Sequence, residues 1–427
     1  MKAGTYAAVD VGTTKVCTIV GEVVATTDSV SPGRGPAAAL PSLRILGVGV
    51  APSSGLSRGM VDNIREATEA IRASVEKAER ASGTRILSAH VGLSGSHIES
   101  LNNRGIVAVP DRARPISRDD IARALEGAKI LSIPSNREIL HVVPRYFVVD
   151  GQDSVSDPLG MYGQRLDVEA HIITVASSAV ANVTKVVEGA GVQVDELVLE
   201  PLAAAEAVLA PEEKRQGVVL ADIGGGSTDI AVYVEGTVQH TATLPVGGNH
   251  VTKDLVVGMR CPYHSAEEAK EVYGHALPST VSPEETIELE AFGAERQRTF
   301  LRRQLCEIVQ ARVEEILEMT MTEVARAVDT RQISAGLVLT GGTARLPGID
   351  FLAEQVTGVP ARVGYPQNIF GLIDELMDPS FATCVGLLQW AVGAHETMLS
   401  AQGPAGPGPL DGLFRKLGDW FRVLLPE

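Results

Sequence analysis

Two stretches of the sequence bring an aspartate together with glycines and hydroxyl residues, a combination that suits phosphate and magnesium chemistry. The first stretch contains Asp10, Gly12, Thr13, Thr14 and Lys15. The second contains Asp222, Gly224, Gly225, Gly226, Ser227 and Thr228. Consecutive backbone N–H groups in a glycine-rich turn can bind a phosphate. A neighbouring aspartate can hold Mg²⁺ through water, because this ion keeps several waters and takes few carboxylates.

Each aspartate ends an apolar segment, so both stretches predict a strand–turn–strand hairpin with the glycines at its tip. The alternative for either stretch alone is an ordinary hairpin, since glycine and aspartate are common turn residues. Two hairpins of one design, about half the chain apart, predict two similar subdomains that each contribute a loop to one cleft. Asp10 and Asp222 would then organise the waters of the metal, and Lys15 would add a mobile charge beside the phosphates.

A third glycine pair follows an apolar segment at residues 336–340. Gly341 and Gly342 end this predicted strand, and paired glycines let a ligand approach the backbone closely. The sequence has no G-x-x-x-x-G-K-[ST] pattern and no G-x-G-x-x-G after a strand, which are the signatures of two competing nucleotide-binding folds.

Length and composition restrict the class of protein. A chain of 427 residues is too long for one core and predicts two or more domains. The formal net charge of −16 argues against general nucleic-acid binding and against attraction of the whole surface to anionic lipid. Four widely spaced cysteines indicate reduced thiols of a cytosolic protein. The first strand begins near Thr5, which predicts no signal peptide, and no run approaches the ~20 apolar residues of a membrane-spanning helix.

The motifs, in this order, resemble those of the actin-like ATPase superfamily, which includes actin, the DnaK-type chaperones and the sugar kinases. Its two phosphate loops look like residues 10–15 and 222–229, and its adenosine loop looks like Gly341-Gly342. Its hinge looks like residues 199–204. The resemblance implies that ATP and Mg²⁺ bind between two lobes of an α/β fold, each lobe being a ribonuclease-H-like domain.

Three further residues receive a role from the resemblance alone. It implies that Glu200 orients the water that attacks the terminal phosphate, and that Glu267 and Lys270 lie near the ribose. From the residues themselves, Glu200 is also compatible with an ordinary helix start before Pro201. Glu267 and Lys270 also fit a solvated helix face, where opposite charges contribute about 0.2–0.5 kcal/mol per pair.

The pattern at residues 86–166 is strand, strand, helix, strand, which predicts a small α+β subdomain inserted in the first lobe. This segment contains no convergent set of His, Cys or paired acids. Contact with another protein and a purely structural role are therefore the two interpretations. A long amphipathic helix is predicted at residues 295–328, and the basic edge at its start could receive an acidic or C-terminal peptide.

The C-terminal segment is the second informative feature. Residues 402–409 are a Pro/Gly linker without core-forming residues. At helical spacing the following residues place seven large apolar side chains on one side: Leu410, Leu413, Phe414, Leu417, Trp420, Phe421 and Leu424. A bulky apolar face with basic flanks, tethered at the end of the chain, predicts an interfacial membrane anchor. The alternative is a tail that packs into a groove of its own protein or of a partner.

An actin-like ATPase with an inserted subdomain and a terminal amphipathic helix resembles the FtsA family of bacterial cell-division proteins, over essentially the whole chain. The resemblance implies a filament-forming ATP-binding protein, at most a slow ATPase, on the cytoplasmic face of the membrane at the division site. It implies binding to the C-terminal peptide of the tubulin-like FtsZ, with Arg302 and Arg303 as candidates on the long helix. It also implies that the inserted subdomain recruits other division proteins. The short linker and the loop at residues 26–42 depart from the family pattern.

The predicted architecture is an actin-like two-lobed ATPase fold with an inserted α+β subdomain (1C) and a C-terminal amphipathic helix. The predicted segments are lobe 1 at 1–85, the insert at 86–166, lobe 1 again at 167–197, lobe 2 at 198–365, a return to lobe 1 at 366–397, the linker at 398–409 and the terminal helix at 410–427. Two other functions stay open on this fold. One is a small-molecule kinase or phosphatase, for which the insert offers no catalytic acid. The other is a PilM-like pilus-assembly adaptor, against which the terminal helix argues.

Overall fold

The computed structural model describes residues 4–24, 42–110, 114–293, 297–372 and 374–401. Within these ranges it contains one open sheet in each lobe and a smaller sheet in the inserted subdomain. Residues 26–41 of the predicted loop and the predicted terminal helix at residues 410–427 lie outside the described residues.

The first part of the chain builds most of lobe 1. Its elements are β1 (Thr5–Val11), β2 (Lys15–Val24), β3 (Ser42–Pro52), β4 (Leu56–Ser57), β5 (Met60–Val61), α1 (Ile64–Ser82) and β6 (Ser88–Leu93). Apolar residues at helical spacing bury one face of α1. The Asn63 side chain accepts hydrogen bonds from the backbone N–H groups of Arg65 and Glu66, which satisfies donors that a helix start leaves free.

The inserted subdomain follows. Its elements are β7 (Glu99–Ala108), α2 (Arg118–Ala128), β8 (Arg137–Val149), β9 (Gln152–Val155) and β10 (Arg165–Ala176). The pairing places both boundaries elsewhere than predicted. β6 pairs with β1 of lobe 1, whereas β10 pairs along its length with β7 and β8 instead of returning to lobe 1. The sequence of a buried apolar strand does not indicate which sheet the strand joins, because either sheet offers it an apolar environment.

The rest of the chain builds lobe 2 and returns to lobe 1. Its elements up to the second phosphate hairpin are α3 (Ser177–Gly189), β11 (Gln193–Leu199), α4 (Glu200–Val208), α5 (Pro211–Gln216), β12 (Val218–Ile223) and β13 (Thr228–Val234). The next are β14 (Thr237–Leu244), α6 (Gly248–Met259), α7 (Tyr263–Tyr273), β15 (Thr286–Glu290), β16 (Gln297–Leu301) and α8 (Arg302–Ala327). The last are β17 (Gly336–Thr340), α9 (Ile349–Thr357), β18 (Ala361–Val363), β19 (Ile369–Gly371) and α10 (Ala382–Ala401).

The two lobes share one sheet topology. In lobe 1 the order is β3-β2-β1-β6-β11, with β19 beside β3, and in lobe 2 it is β14-β13-β12-β17-β18. In each lobe an antiparallel three-stranded meander continues through its first strand into two parallel strands. The duplicated design predicted from the two hairpins is therefore confirmed, and it turns both glycine-rich tips toward one cleft.

β12 has a core on each of its faces. Val218 and Leu220 belong to the core that lobe 1 shares with α4. Val219, Ala221 and Ile223 belong to the core of lobe 2. Because successive side chains of a strand point to opposite faces, β12 is held from both sides. The hairpin that it opens is thereby fixed in position.

The long helix α8 begins at residue 302 rather than at residue 295. Residues 297–301 form β16, which pairs antiparallel with β15. The partner strand supplies the hydrogen bonds that this segment would otherwise make as a first helical turn. That pairing overrides the helical periodicity of the sequence.

Candidate nucleotide-binding cleft

The tips of the β1–β2 and β12–β13 hairpins lie against each other. An ideal Cβ on Gly225 would lie 2.2 Å from Thr14 Oγ1, and one on Gly226 would lie 2.9 Å from Thr13 Oγ1. A side chain at either glycine would therefore collide with the opposite tip. Both predicted phosphate loops meet in one place, as the repeated motif indicated.

The backbone of these tips is arranged to receive an acceptor. Within the described ranges, the N–H groups of Gly225, Gly226, Thr13 and Thr14 donate to no protein acceptor. Their orientation is held from behind, because Gly224 O accepts hydrogen bonds from Gly248 N at 2.9 Å and from Thr343 Oγ1 at 3.1 Å. Free N–H groups on a fixed glycine turn fit a phosphate.

Four buried carboxyl groups line the floor of the cleft: Asp10, Glu200, Asp222 and Asp229. Burial raises the pKa of Asp10 to about 7, with Lys15 opposing that rise and Asp222 adding to it. Burial likewise raises the pKa of Asp229 to about 7, although the Thr243 hydroxyl opposes it.

Glu200 and Asp222 respond in the same way. Burial, then the charges of Asp10 and Asp229, raise the pKa of Glu200. Burial raises the pKa of Asp222, while a 2.7 Å hydrogen bond from Thr383 Oγ1 lowers it. The four buried groups repel one another, so a cation there would stabilise their ionised forms.

The donor set fits a hydrated Mg²⁺. Among the described residues, no three His, Cys, Asp or Glu side chains are grouped so that they could hold a metal ion by themselves. Asp10 and Asp222 lie on adjacent hairpins at the base of the phosphate cradle, and the charge of Asp222 acts on Asp10. Mg²⁺ commonly binds through one or two carboxylates together with waters and substrate phosphates.

Lys15 is held by the segment that returns to lobe 1. Its Nζ donates to Ser380 Oγ at 2.8 Å and lies 3.2 Å from the centroid of the Phe381 ring. Burial lowers the pKa of this ammonium group. The predicted phosphate lysine therefore stands at the edge of the cleft with a protein partner.

The other predicted cofactor-binding residues surround the second tip. Gly341 has a φ of 84°, and an ideal Cβ on it would lie 2.3 Å from Asp222 Oδ1. Lys270 Nζ lies 2.8 Å from both carboxylate oxygens of Glu267 and 3.4 Å from Gly248 O. The Glu267–Lys270 pair is thus part of the cleft wall beside the first residue of α6, and is not a fully solvated helix face.

Glu200 is the first residue of α4 and faces β6. The Ser94 hydroxyl makes a hydrogen bond with its carboxyl group, and an ideal Cβ on Gly92 would lie 3.1 Å from Glu200 Oε1. The close approach of β6 at a glycine makes room for this carboxyl group. Glu200 therefore lies close enough to Asp10, Asp222 and Asp229 for their charges to act on its carboxyl group.

Several residues of the cleft are not among the predicted site residues. Asp229, at the end of the second motif, is one of them. Thr343 follows the third glycine pair directly, so its hydroxyl could have been included. Ser380 and Thr383 carry no local signal, because each reaches the cleft only through the return of the chain to lobe 1.

The predicted partner residues lie away from the cleft. Arg302 donates to Tyr273 O at 2.8 Å and to Glu285 Oε1 at 2.9 Å, so its guanidinium ties α8 to its neighbours. Arg303 is more exposed and lies 3.7 Å from Glu307. A groove of about 690 Å³ runs between α6 and α8. Its lining residues on β16 and α8 are Phe300, Gln304, Glu307, Ile308, Ala311, Arg312 and Glu315.

The predicted membrane residues lie outside the described part of the chain. In the described part, no helix is both long enough and apolar enough to cross a bilayer.

Two family models match the sequence. The model described as cell division protein FtsA matches residues 219–386, and the model described as the SHS2 domain inserted in FtsA matches residues 95–174. The second match lies between β6 and the end of β10, in agreement with the strand pairing.

Curated relatives match over most of the chain. The cell division protein FtsA of Pseudomonas aeruginosa is 40% identical, over 90% of this chain and 88% of its own length. The FtsA of Bacillus subtilis is 38% identical, over 90% of this chain and 83% of its own length. The FtsA of Escherichia coli is 31% identical, over 97% of this chain and 96% of its own length.

Solved structures show the fold. A PilM–PilN type IV pilus biogenesis complex matches with a TM-score of 0.61 at 18% identity, over 90% of this chain and 97% of that chain. MreB 5 of Spiroplasma citri bound to AMPPNP matches with a TM-score of 0.57 at 12% identity, over 94% and 100%. At these identities the likeness establishes the actin-like fold alone.

Proposed function

The chain belongs to the FtsA family of cell division proteins, and we propose that it binds ATP and Mg²⁺ between its two lobes. The observation that supports this proposal most strongly is the meeting of the two glycine-rich tips, with free backbone N–H groups above four buried carboxyl groups. A nucleotide phosphate chain supplies the acceptors, and its metal supplies the positive charge that this arrangement lacks.

The residues of the two hairpins, the third glycine pair and Glu200 take the following roles in this proposal. Backbone N–H groups of residues 12–14 and 224–228 hold the phosphates, and Lys15 adds charge at their edge. Asp10 and Asp222 hold the metal through water, while Gly341 and Gly342 border the adenosine. Glu200 orients a water toward the terminal phosphate. When bound, Mg²⁺ neutralises phosphate charge.

The cleft is tested by titrating ATP and Mg²⁺ into the wild type and into Asp222→Asn and Lys15→Ala. Both variants are expected to bind ATP at least about tenfold more weakly, since each loses a charged contact of about 1.5–3 kcal/mol. Asp329→Asn removes an exposed carboxylate that pairs with Arg331 and serves as the matched control. Unchanged affinity in both cleft variants would overturn the proposal.

We further propose that ATP binding closes the lobes and favours filaments that attach the division ring to the cytoplasmic face of the membrane. Each filament would present many copies of the predicted helix at residues 410–427, so that weak single anchors bind strongly together. Flotation with anionic vesicles and ATP tests this attachment. The full chain is expected to float and a chain ending at residue 409 to stay behind. If neither floats, the anchor assignment is wrong.

The FtsZ C-terminal peptide is proposed to bind lobe 2 at the groove between α6 and α8. The groove combines apolar Phe300 and Ile308 with Arg312, whose guanidinium is already paired with Asp254 and Glu315. Arg303 lies on the exposed side of α8, 3.7 Å from the groove residue Glu307. Arg302 is already bonded within the protein, so Arg303 is the stronger of the two predicted candidates.

Fluorescence anisotropy with a labelled FtsZ C-terminal peptide tests this site. Ala311→Glu is expected to weaken binding strongly, because it places a charge on the exposed floor of the groove. Arg303→Ala is expected to weaken it modestly. Arg326→Ala removes a comparable surface ion pair, with Glu323, at the other end of α8. If Ala311→Glu, Arg303→Ala and Arg326→Ala all bind the peptide with the affinity of the wild type, the groove is not the binding site.

The inserted subdomain is proposed to recruit other division proteins. It exposes 55% of Ile106, 83% of Ile130 and 68% of Tyr162, and exposed large apolar side chains mark contact surfaces when they cluster. A chain with Ile106→Asp and Ile130→Asp is expected to reach the division site and to lose later division proteins there, as seen by fluorescence microscopy. Normal recruitment by this variant would contradict the assignment.

A further inference from the structure

The short β4–β5 hairpin stands between the two phosphate loops. Its two turn residues, Arg58 and Gly59, both have positive φ, at 50° and 75°. Positive φ at both positions is the signature of a type I′ turn, whose twist suits a tight hairpin. The chain just before the hairpin is tied to the first phosphate loop, because Ser53 N donates to Thr14 O at 3.0 Å.

The tip of this hairpin reaches the second phosphate loop. An ideal Cβ on Gly226 would lie 3.2 Å from Arg58 Cα and 2.9 Å from Thr13 Oγ1. Arg58 therefore lies where the two phosphate tips meet. An ideal Cβ on Gly59 would lie 2.8 Å from Ser94 O, and the Ser94 hydroxyl is bonded to Glu200. The hairpin tip thus also borders the proposed water-orienting acid.

The guanidinium of Arg58 is available to a ligand. Arg58 is exposed, and within the described part of the chain it forms no hydrogen bond or ion pair. Its charge acts across the cleft: burial lowers the pKa of His250 at the start of α6, and Arg58 adds to this effect. Lys15, in contrast, already donates to Ser380.

From this geometry we propose that Arg58 binds the terminal phosphate of a nucleoside triphosphate held between the two tips. This inference rests on the proposed function for the identity of the ligand. A planar guanidinium fork matches phosphate oxygens better than an ammonium point charge does. Since a diphosphate lacks the terminal group, Arg58 distinguishes ATP from ADP. It also lies where charge develops during phosphoryl transfer.

The test compares ATP and ADP affinities, each with Mg²⁺, in the full chain and three variants. Arg58→Ala is expected to weaken ATP binding about tenfold or more, the loss of one charge-assisted contact, and to leave ADP binding within about twofold. Arg58→Lys is expected to recover part of the loss, because it keeps the charge without the fork. Arg80→Ala, an exposed arginine in the last turn of α1, is expected to bind both nucleotides as the wild type does.

Arg58→Ala should fold normally, because alanine and arginine meet the same backbone restriction at positive φ. Its melting temperature without nucleotide checks this. An unchanged ratio of ATP to ADP affinity in Arg58→Ala would overturn the inference and leave the proposed function intact. A wild-type chain that binds neither nucleotide would overturn both.

Discussion

At the scale of residues, the main feature of the cleft is that its buried carboxyl groups outnumber the cations whose charge acts on them. Lys15 is the cation whose charge acts on Asp10 and Asp222, whereas burial and mutual repulsion act on Asp229 and Glu200 as well. A site of this kind is destabilised when its acids ionise without a ligand. Ionisation of these acids therefore lowers the stability of the free protein, and a cation bound in the cleft would offset this cost.

The first prediction concerns how the stability of the free protein depends on pH. Asp229 has an unfolded pKa of 3.8 and a folded pKa of about 7. The folded protein thus keeps its proton to higher pH, so the stabilising contribution is complete below 3.8 and is lost as the pH rises through about 7. Asp229→Asn removes this titration and still accepts from Thr243, which donates at 2.6 Å.

Melting temperatures of the wild type and Asp229→Asn, without Mg²⁺ or nucleotide, measure the effect between pH 5 and pH 8. The variant is expected to gain stability relative to the wild type as the pH rises. If the difference in melting temperature between the two proteins stays constant from pH 5 to pH 8, ionisation of Asp229 does not destabilise the folded protein.

The second prediction concerns two adjacent glycines. Gly341→Ala is expected to cost at least about 1–3 kcal/mol, because it puts a side chain at positive φ and brings Cβ to 2.3 Å from Asp222 Oδ1. Gly342→Ala would meet only Ser380 Cβ, at 3.9 Å, and is expected to cost about 0.5 kcal/mol or less. Urea unfolding of both variants without nucleotide measures the difference, and equal costs would contradict this geometry.

The start of α2 shows how one buried acid organises an element. Asp120 accepts hydrogen bonds from Arg114 Nη1 at 2.6 Å and from Ser117 N at 2.9 Å, and it also pairs with Arg123. The hydrogen bonds from Arg114 hold the pKa of this carboxyl well below its usual range. The capping box and the ion pairs together fix α2 on the sheet of the inserted subdomain.

The third prediction follows from this arrangement. Asp120→Ala is expected to destabilise the inserted subdomain by about 1–3 kcal/mol, because it removes the buried acceptor of the hydrogen bonds from Ser117 and Arg114 at the start of α2. Asp119→Ala, at the exposed neighbouring position of the same helical turn, is expected to cost about 0.3–1 kcal/mol through the helix dipole. Hydrogen exchange of β7, β8 and β10 reports on the subdomain directly. Protection that is unchanged in Asp120→Ala would disprove the assignment.

The inserted subdomain links both lobes at the scale of the whole molecule. On the lobe 2 side, Ser100 Oγ donates to Thr241 O at 2.9 Å, and Arg145 Nε donates to Gln239 Oε1 at 2.8 Å. On the lobe 1 side, Leu199 N donates to His141 Nε2 at 3.1 Å, directly before Glu200. The subdomain also covers β14, the edge strand of the lobe 2 sheet, which would otherwise be open to pairing.

The fourth prediction tests this link by a double-mutant cycle. Arg145→Ala and Gln239→Ala are expected to show a coupling free energy of about 1–2 kcal/mol in urea unfolding, since their hydrogen bond joins a charged group to an amide. Arg145→Ala combined with Gln304→Ala, on the distant start of α8, is expected to be additive. If the coupling free energy of Arg145 and Gln239 is as small as that of Arg145 and Gln304, the Arg145–Gln239 hydrogen bond does not link the inserted subdomain to lobe 2.

The sequence by itself determined the two glycine-rich tips of the cleft and the two-lobed fold. The hairpin motifs are local: an apolar run, an aspartate and glycines within a few residues specify both the turn and the groups that it presents. For this reason the tips at Gly12–Thr14 and Gly224–Ser227 could be predicted. The same holds for the glycine pair at Gly341-Gly342.

Only the tertiary structure decided which distant groups meet. Lys15 and Ser380 are 365 residues apart, and Thr383 reaches Asp222 across 161 residues. The sheet that β6 or β10 joins, the internal bonds of Arg302 and the position of Arg58 likewise depend on contacts between separate elements. Local periodicity encodes which face of an element is buried, but not the partner that buries it.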